Sequence, residues 1–128
     1  MSPAGCLSFI VGQDMSEYAE AGWRSLNALR PRVSEWSGTL GFPIHRVDFV
    51  ATFESWDHGI GVYLFFADDA TLARARQSQY SEMAKTKVRE ILEEEGYPLA
   101  RFPHISLEID SHENVVRSFV GSYFYRLR

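Results

Sequence analysis

The stretch FPHISLEIDSHENVVRSFVGSYFYRLR, from Phe102 to Arg128, combines signals for a strand, a helix cap, a helix and a second strand, and the chain is organised around it. Its first part alternates apolar and polar residues from Ile105 to Ile109. Neighbouring side chains of a strand point to opposite faces. The alternation therefore predicts a strand with one buried face.

A short helix and a closing strand are predicted to follow. Asp110 and Glu113 have the spacing of a capping box, in which two side chains accept hydrogen bonds from backbone N–H groups at the start of a helix. We therefore expect a helix over Ser111–Phe119, which Gly121 can end. The aromatic run Tyr123–Leu127 is predicted to be a closing strand.

The beginning of the chain predicts a strand and a long helix. Leu7–Val11 is a β-branched and aromatic run and is expected to be the first strand. Asp14 and Glu17 form another capping box, and apolar residues then recur at steps of three and four, as on one face of a helix. Pro31 interrupts this stripe. Either the helix kinks near Leu29, or a second short helix begins at the proline.

The middle of the chain predicts two strands joined by a hairpin. A loop is expected over Ser37–Pro43 because of its glycine and proline content. His45–Glu54 alternates apolar and polar residues, and Ile60–Ala67 is apolar almost throughout. Ser55–Gly59 has the right length for a hairpin loop. The apolar strand is expected to be central in the sheet.

A second helix is predicted between this strand and the last quarter of the chain. Asp68 or Asp69 is a suitable N-cap. The helix is expected to end at Glu95, because Gly96 can adopt the left-handed conformation and Pro98 cannot continue a helix.

These elements predict a single α+β domain over residues 1–128. The order is β-α-β-β-α-β followed by a short helix and strand, which is typical of a ferredoxin-like sheet with two helices on one face. With 128 residues and 45% hydrophobic content, the chain is long enough for one core. The other sheet face is expected to be open unless a partner covers it.

Composition favours a cytoplasmic protein without a cofactor. Cys6 is the only cysteine, so an internal disulfide is excluded and a reducing compartment is expected. The longest apolar run, Ile60–Ala67, is far short of the ~20 residues of a membrane span. A net charge of -4 argues against general nucleic-acid binding. The histidines have no spacing typical of a metal site, and no catalytic residue is assigned.

An acidic cluster is a candidate contact surface for a basic protein. Seven acids stand against one arginine, Arg101, between positions 90 and 113, and they are Glu90, Glu93, Glu94, Glu95, Glu108, Asp110 and Glu113. Helix C-termini disfavour negative charge, so stability alone does not explain the glutamates at 93–95. We expect an immunity, inhibitor or regulatory role in which acids including Glu93, Glu94, Glu95 and Glu108 dock the partner. The alternative is ordinary solubilising charge.

The C-terminus is a second candidate contact surface. Tyr123, Phe124, Tyr125 and Arg126 are of residue types that are enriched at protein interfaces. A closing edge strand made of them could pair across a two-fold axis, which predicts a homodimer. The alternative is that Tyr123, Tyr125 and Leu127 complete the core without a partner.

A different class of function would use the open sheet face. Tyr63, His104 and Glu108 are the candidates there for binding a small ligand or for an enzyme. Residues that stand two positions apart on a strand are separated by ~6.6 Å along it, which is too far for a direct hydrogen bond between catalytic partners.

The stretch from His58 to Phe65, HGIGVYLF, resembles the strand-three signature of RNA-recognition motif domains. The resemblance implies RNA binding on the sheet by aromatic side chains that stack on bases. In this chain the two aromatic positions hold Ile60 and Val62, so the departures fall on the residues that would stack.

Overall fold

The computed structural model describes residues 6–50, 60–100 and 103–127, with the backbone alone for residues 6–19. It shows an α+β protein. The elements in chain order are α1 (Cys6–Thr39), β1 (Ile44–Val50), β2 (Ile60–Phe66), α2 (Asp69–Gln77), α3 (Tyr80–Glu94), β3 (Ile105–Ser111), α4 (His112–Phe119) and α5 (Tyr123–Arg126).

The described strands form one open, mixed sheet with the order β1-β2-β3. β2 pairs antiparallel with β1 and parallel with β3. The prediction that the apolar strand is central is confirmed. The expected hairpin loop, and the end of the strand predicted over His45–Glu54, lie in residues 51–59, outside the described residues.

The prediction of a first strand over Leu7–Val11 is wrong, because these residues belong to α1. A short apolar run fits a buried helix segment as well as a strand, since only length and flanking residues separate the two. The capping box at Asp14 and Glu17 consequently lies inside the helix. The described residues hold three strands, so the four-stranded ferredoxin-like arrangement is not established by them.

Helix α1 continues through Pro31. The buried residues Leu26, Leu29 and Val33 face the core, whereas Pro31 is exposed. A proline removes the hydrogen bond to the carbonyl of the residue four positions earlier, here Asn27. Asn27 is exposed too, so water can bind this carbonyl.

The main core lies between one sheet face and the helices α1 and α3. Val62, Leu64 and Phe66 of the central strand are fully buried there. Tyr80 begins α3, packs edge-on against Phe66 at 5.4 Å, and hydrogen-bonds Ser37 over 2.7 Å. The aromatic residue thereby ties the end of α1 to the start of α3.

The predicted second helix is divided into α2 and α3. Asp68 caps α2 by accepting a hydrogen bond from the Thr71 N–H. It is one of the two residues, Asp68 and Asp69, that were predicted for this role. Ser78 ends α2 in an extended conformation. The predicted end near Glu95 is confirmed, since α3 ends at Glu94 and Gly96 has a left-handed φ of 89°.

The closing strand predicted over Tyr123–Leu127 is wrong, because Tyr123–Arg126 is a one-turn helix, α5. The Ser122 hydroxyl accepts a hydrogen bond from the Tyr125 N–H and so begins this turn. A strand would bury Tyr123 and Tyr125 together, whereas here Tyr123 is buried and Tyr125 is exposed. Three β-favouring residues are too few to override a cap and the burial of one ring.

Helix α4 is confirmed, with a different cap from the predicted one. Ser111, not Asp110, accepts the hydrogen bond from the Asn114 N–H. Glu113 accepts a hydrogen bond from the Asp69 N–H at the start of α2. Glu113 thus connects α4 to α2 and does not form a capping box within α4.

Candidate functional site

Helices α4 and α5 cover one end of the sheet face that lies opposite the main core. Phe65, which points to this face from the central strand, is fully buried in a second cluster with Val115 and Tyr123. The Phe65 and Tyr123 rings meet edge-on at 4.8 Å. The face that was expected to be open is therefore covered at this end by the chain itself.

A buried ion pair joins α5 to the edge strand β3. Arg126 Nε donates to Asp110 Oδ2 over 2.6 Å, and both side chains are mostly buried. Asp110 also accepts hydrogen bonds from the Ser111 N–H at 2.8 Å and from Asn114 Nδ2 at 3.0 Å. Burial alone would raise the pKa of Asp110, but donation by Arg126, Ser111 and Asn114 outweighs it and lowers this pKa below its ordinary value.

A second set of contacts holds Tyr123 in place. Its hydroxyl is 2.7 Å from His112 Nδ1, and the guanidinium of Arg46 lies 3.9 Å from its ring centroid. Asp48 accepts a hydrogen bond from Arg46 Nε at 2.6 Å. The His45 and His112 rings are 4.6 Å apart. Tyr123 is thus contacted by Arg46 of β1, Phe65 of β2 and His112 of α4, while Asp48 holds Arg46.

The outer side of the same helices carries exposed apolar residues. Val116, Val120, Phe124 and Tyr125 are 52%, 93%, 68% and 60% exposed, and we call these four residues the C-terminal patch. The rings of Phe124 and Tyr125 contact each other at 5.6 Å. The other exposed large apolar residues in the described part of the chain are Leu40, Val50 and Met83, each from a different segment. Four of these seven exposed residues therefore lie in the segment from α4 to α5, with Val120 in the turn between the two helices.

The structure divides the four C-terminal residues that were predicted to bind a partner. Tyr123 and Arg126 lie inside and attach α5 to the sheet, whereas Phe124 and Tyr125 lie outside. Sequence reasoning missed Val116 and Val120. The pair Val115-Val116 in a short helix was an available signal, because adjacent residues of a helix cannot share one face.

The acidic cluster is largely neutralised by the chain itself. Arg32 of α1 donates to Glu94 at 2.6 Å and to Glu95 at 2.9 Å, and Lys87 pairs with Glu90 at 2.8 Å. Glu108 lies 3.5 Å from Arg126. Glu93 is exposed on α3. The expected acidic docking surface is therefore smaller than its charge count indicates.

A groove of about 460 Å³ lies on the part of the sheet face that α4 and α5 do not cover. Its lining includes Tyr63, His104 and Ser106, so two of the three ligand-binding candidates do meet there. Glu108 pairs in register with Tyr63, but its carboxylate is directed to Arg126. A Cβ at Gly61 would lie 3.1 Å from the Tyr63 ring, so the glycine allows this ring to lie close over the strand.

The described residues show no arrangement that would support RNA stacking, metal binding or a membrane span. Ile60 and Val62, at the RNA-stacking positions, are buried in the main core, and residues 58–59 lie outside the described part. No group of three or more His, Cys, Asp or Glu side chains in the described ranges is placed to hold a metal ion. No helix of this part is both long and apolar enough to cross a membrane.

Searches of protein-family models, curated proteins and solved structures gave no match to this chain.

Proposed function

We propose that this protein acts by binding another protein through the C-terminal patch. The observation that carries the proposal is the exposure of Phe124 and Tyr125 on a helix that a buried ion pair fixes to the sheet. Tyrosine is among the residue types most enriched at positions that dominate binding energy, and phenylalanine is enriched at the core of interfaces. A group of exposed residues of this kind is typical of a protein contact surface.

The attachment of α5 supports this role because it reduces the entropic cost of binding. Fixing the backbone of one flexible residue costs about 1 to 2 kcal/mol. Phe124 and Tyr125 stand between Tyr123 and Arg126, and both of these neighbours are held by several contacts. The backbone that presents the two exposed rings is therefore ordered before a partner arrives.

An immunity or inhibitor role is the most concrete form of this proposal, and a regulatory binding role is the other. Both place the protein in the cytoplasm, consistent with its single cysteine. Glu93, and to a lesser degree Glu94, Glu95 and Glu108, would then contribute charge at the rim of the contact and affect the association rate.

The proposal is tested by affinity capture from the native lysate with matched variants. The double variant Phe124→Ser/Tyr125→Ser removes the two exposed rings, whereas Met83→Ser removes an exposed apolar side chain from α3. We expect a captured protein to be lost, by at least tenfold, with the double variant and retained with Met83→Ser. A set of captured proteins that is identical for all three forms would contradict the proposal.

A second candidate function is the binding of a small ligand in the sheet-face groove. The observation that favours it is the meeting of Tyr63, His104 and Ser106 around one groove. Saturable chemical-shift changes confined to these residues on titration with a small-molecule library would support it. Shifts that are absent, or that spread equally to His112 at the other end of the sheet, would exclude it.

A further inference from the structure

In the part of the chain that the structure describes, no strand pairs with the outer edge of β1. β1 is the first strand in the order β1-β2-β3, so β2 occupies only one of its two sides. The Val47 carbonyl accepts a hydrogen bond from Arg30 Nε at 3.1 Å and therefore points away from β2. In a strand the N–H and C=O of one residue point to the same side. The Val47 N–H is thus directed outward as well.

A groove borders this edge and leaves room for another strand. It has a volume of about 570 Å³, and Arg30, Pro31 and Ser34 of α1 line it on one side. His45, Arg46, Val47 and Asp48 line it on the other side. Pro31 and Ser34 are small, so they do not fill the space beside the backbone of β1. Exposed edges of this kind recruit an additional strand by main-chain hydrogen bonds.

The sequence of β1 is complementary to itself in the antiparallel direction. Two copies of the strand IHRVDFV can be placed antiparallel with Val47 of one copy opposite Val47 of the other. Arg46 of each copy then lies opposite Asp48 of the other, which gives two such pairs. Residues that lie opposite each other in an antiparallel pair project to the same sheet face and interact. Each arginine would therefore face a carboxylate.

The pairing is confined to the regular part of β1. His45 lies at the irregularity with its ring 4.6 Å from that of His112, whereas Phe49 packs against the main core, so these two rings do not meet across the axis. The register of β1 against β2 is regular from Arg46 to Val50, and its irregularity falls between Ile44 and Arg46. The regular part thus contains the central residue and both members of the charge pair.

We propose that two copies of this chain associate by antiparallel pairing of β1 with β1. The two three-stranded sheets then form one continuous sheet across a two-fold axis. At the axis the N–H of each Val47 donates to the carbonyl of the other, in place of the guanidinium of Arg30. This contact lies at the β1 edge of the sheet, whereas α5 is joined to the other edge strand, β3. The proposal therefore does not depend on the C-terminal patch.

The association is tested by light scattering and sedimentation over a concentration series. The wild type should rise from the chain mass of 14.6 kDa towards twice that mass as concentration increases. Asp48→Arg sets Arg46 against arginine at both charge pairs and should raise the midpoint concentration at least tenfold. The exchanged variant Arg46→Asp/Asp48→Arg restores opposite charges and should return it to within about threefold of the wild type.

Glu82→Arg on α3 makes the same change of net charge away from β1 and should leave the midpoint unchanged. A wild type that stays at the mass of one chain at millimolar concentration would overturn the proposal. So would a folded Asp48→Arg that associates like the wild type, or a folded exchanged variant that does not recover.

Hydrogen exchange provides a readout that needs no variant. Within residues 6–50, 60–100 and 103–127, no strand pairs with the outward N–H groups of Val47 and Phe49, whereas the dimer supplies one. Their exchange should slow as the wild-type concentration rises through the midpoint, whereas exchange in α3 should not change. Exchange at Val47 and Phe49 that does not depend on concentration would contradict the pairing of two copies at this edge. The same result is expected if the edge binds an extended peptide of another protein instead, so that occupant would contradict the proposal too.

Discussion

Asp110 is the residue that most directly connects the fold to the proposed surface. Its carboxylate accepts hydrogen bonds from Arg126, Asn114 and the Ser111 N–H, so one side chain joins β3, α4 and α5. Arg126 is in turn surrounded by the Tyr63, Phe65 and Phe119 rings, with its guanidinium carbon within 5.9 Å of each ring centroid. A charge that is enclosed in this way depends on its partner.

Asp110→Asn tests this dependence at the residue scale. The variant keeps the size of the side chain but removes the anion that Arg126 Nε contacts and leaves only the half-exposed Glu108, at 3.5 Å, so we expect the free energy of unfolding to fall by about 2 kcal/mol at pH 7. The pKa of Asp110 is lower in the folded protein than its ordinary value of 3.8. The stabilisation is therefore present above pH 3.8 and is lost as the pH falls through the folded-state pKa.

Urea unfolding of the wild type and of Asp110→Asn at pH 7 and at pH 3 measures this effect. The difference between the two proteins should shrink at pH 3, because the unfolded wild type then takes up a proton at Asp110, whose ordinary pKa is 3.8, and folding has to release it. Glu82→Gln, which changes an exposed acid on α3, is the matched control and should cost little at either pH. A difference for Asp110→Asn that is equal at both pH values would show that charge is not the cause.

At the scale of elements, the turn between α4 and α5 directs the C-terminal patch. Val120 and Gly121 have consecutive left-handed φ angles of 52° and 77°, after which Ser122 begins α5. The Gly121 N–H donates to the Val115 carbonyl at 3.0 Å, which closes the end of α4. This turn places Tyr123 against Phe65 and leaves Phe124 and Tyr125 outside.

Gly121→Ala tests whether the turn needs its glycine. A Cβ at a left-handed φ costs about 1 kcal/mol even where space is open, as it is at Gly121. Gly38→Ala lies in the last turn of α1, also in open space, and should stabilise the protein by about 0.5 kcal/mol or less. Denaturant unfolding of both variants should therefore give shifts of opposite sign, and two shifts of the same sign would contradict the role of the turn.

Elements with a long or alternating pattern could be predicted from the sequence, whereas short runs could not. Ile60–Phe66 and Ile105–Ser111 are strands because their apolar residues recur on one face and meet the helices. Leu7–Val11 and Tyr123–Leu127 contain β-favouring residues but belong to helical segments or their ends. In Tyr123–Leu127 the local preference is weaker than the Ser122 cap and the burial of the Tyr123 ring, and Leu7–Val11 is too short for its pattern to separate a strand from a helix.

At the scale of the whole molecule, the two sheet faces are covered by different helices. One face packs against α1 and α3 and forms the main core, while α4 and α5 cover one end of the other face. Which C-terminal side chains point outward follows from this covering, so it could not be derived from residue types alone. The neutralisation of Glu94 and Glu95 depends on Arg32, which is distant in sequence, and it was hidden from a count of charges for the same reason.

Site-specific photocrosslinking tests the central claim, that the C-terminal patch contacts another protein, most directly. A photoreactive phenylalanine analogue at position 124 should give a discrete adduct with a different protein in the native cell, whereas the same analogue at position 83 on α3 should give none. Adducts of equal yield at both positions, no adduct at position 124, or an adduct there that contains only two copies of this chain would contradict the claim.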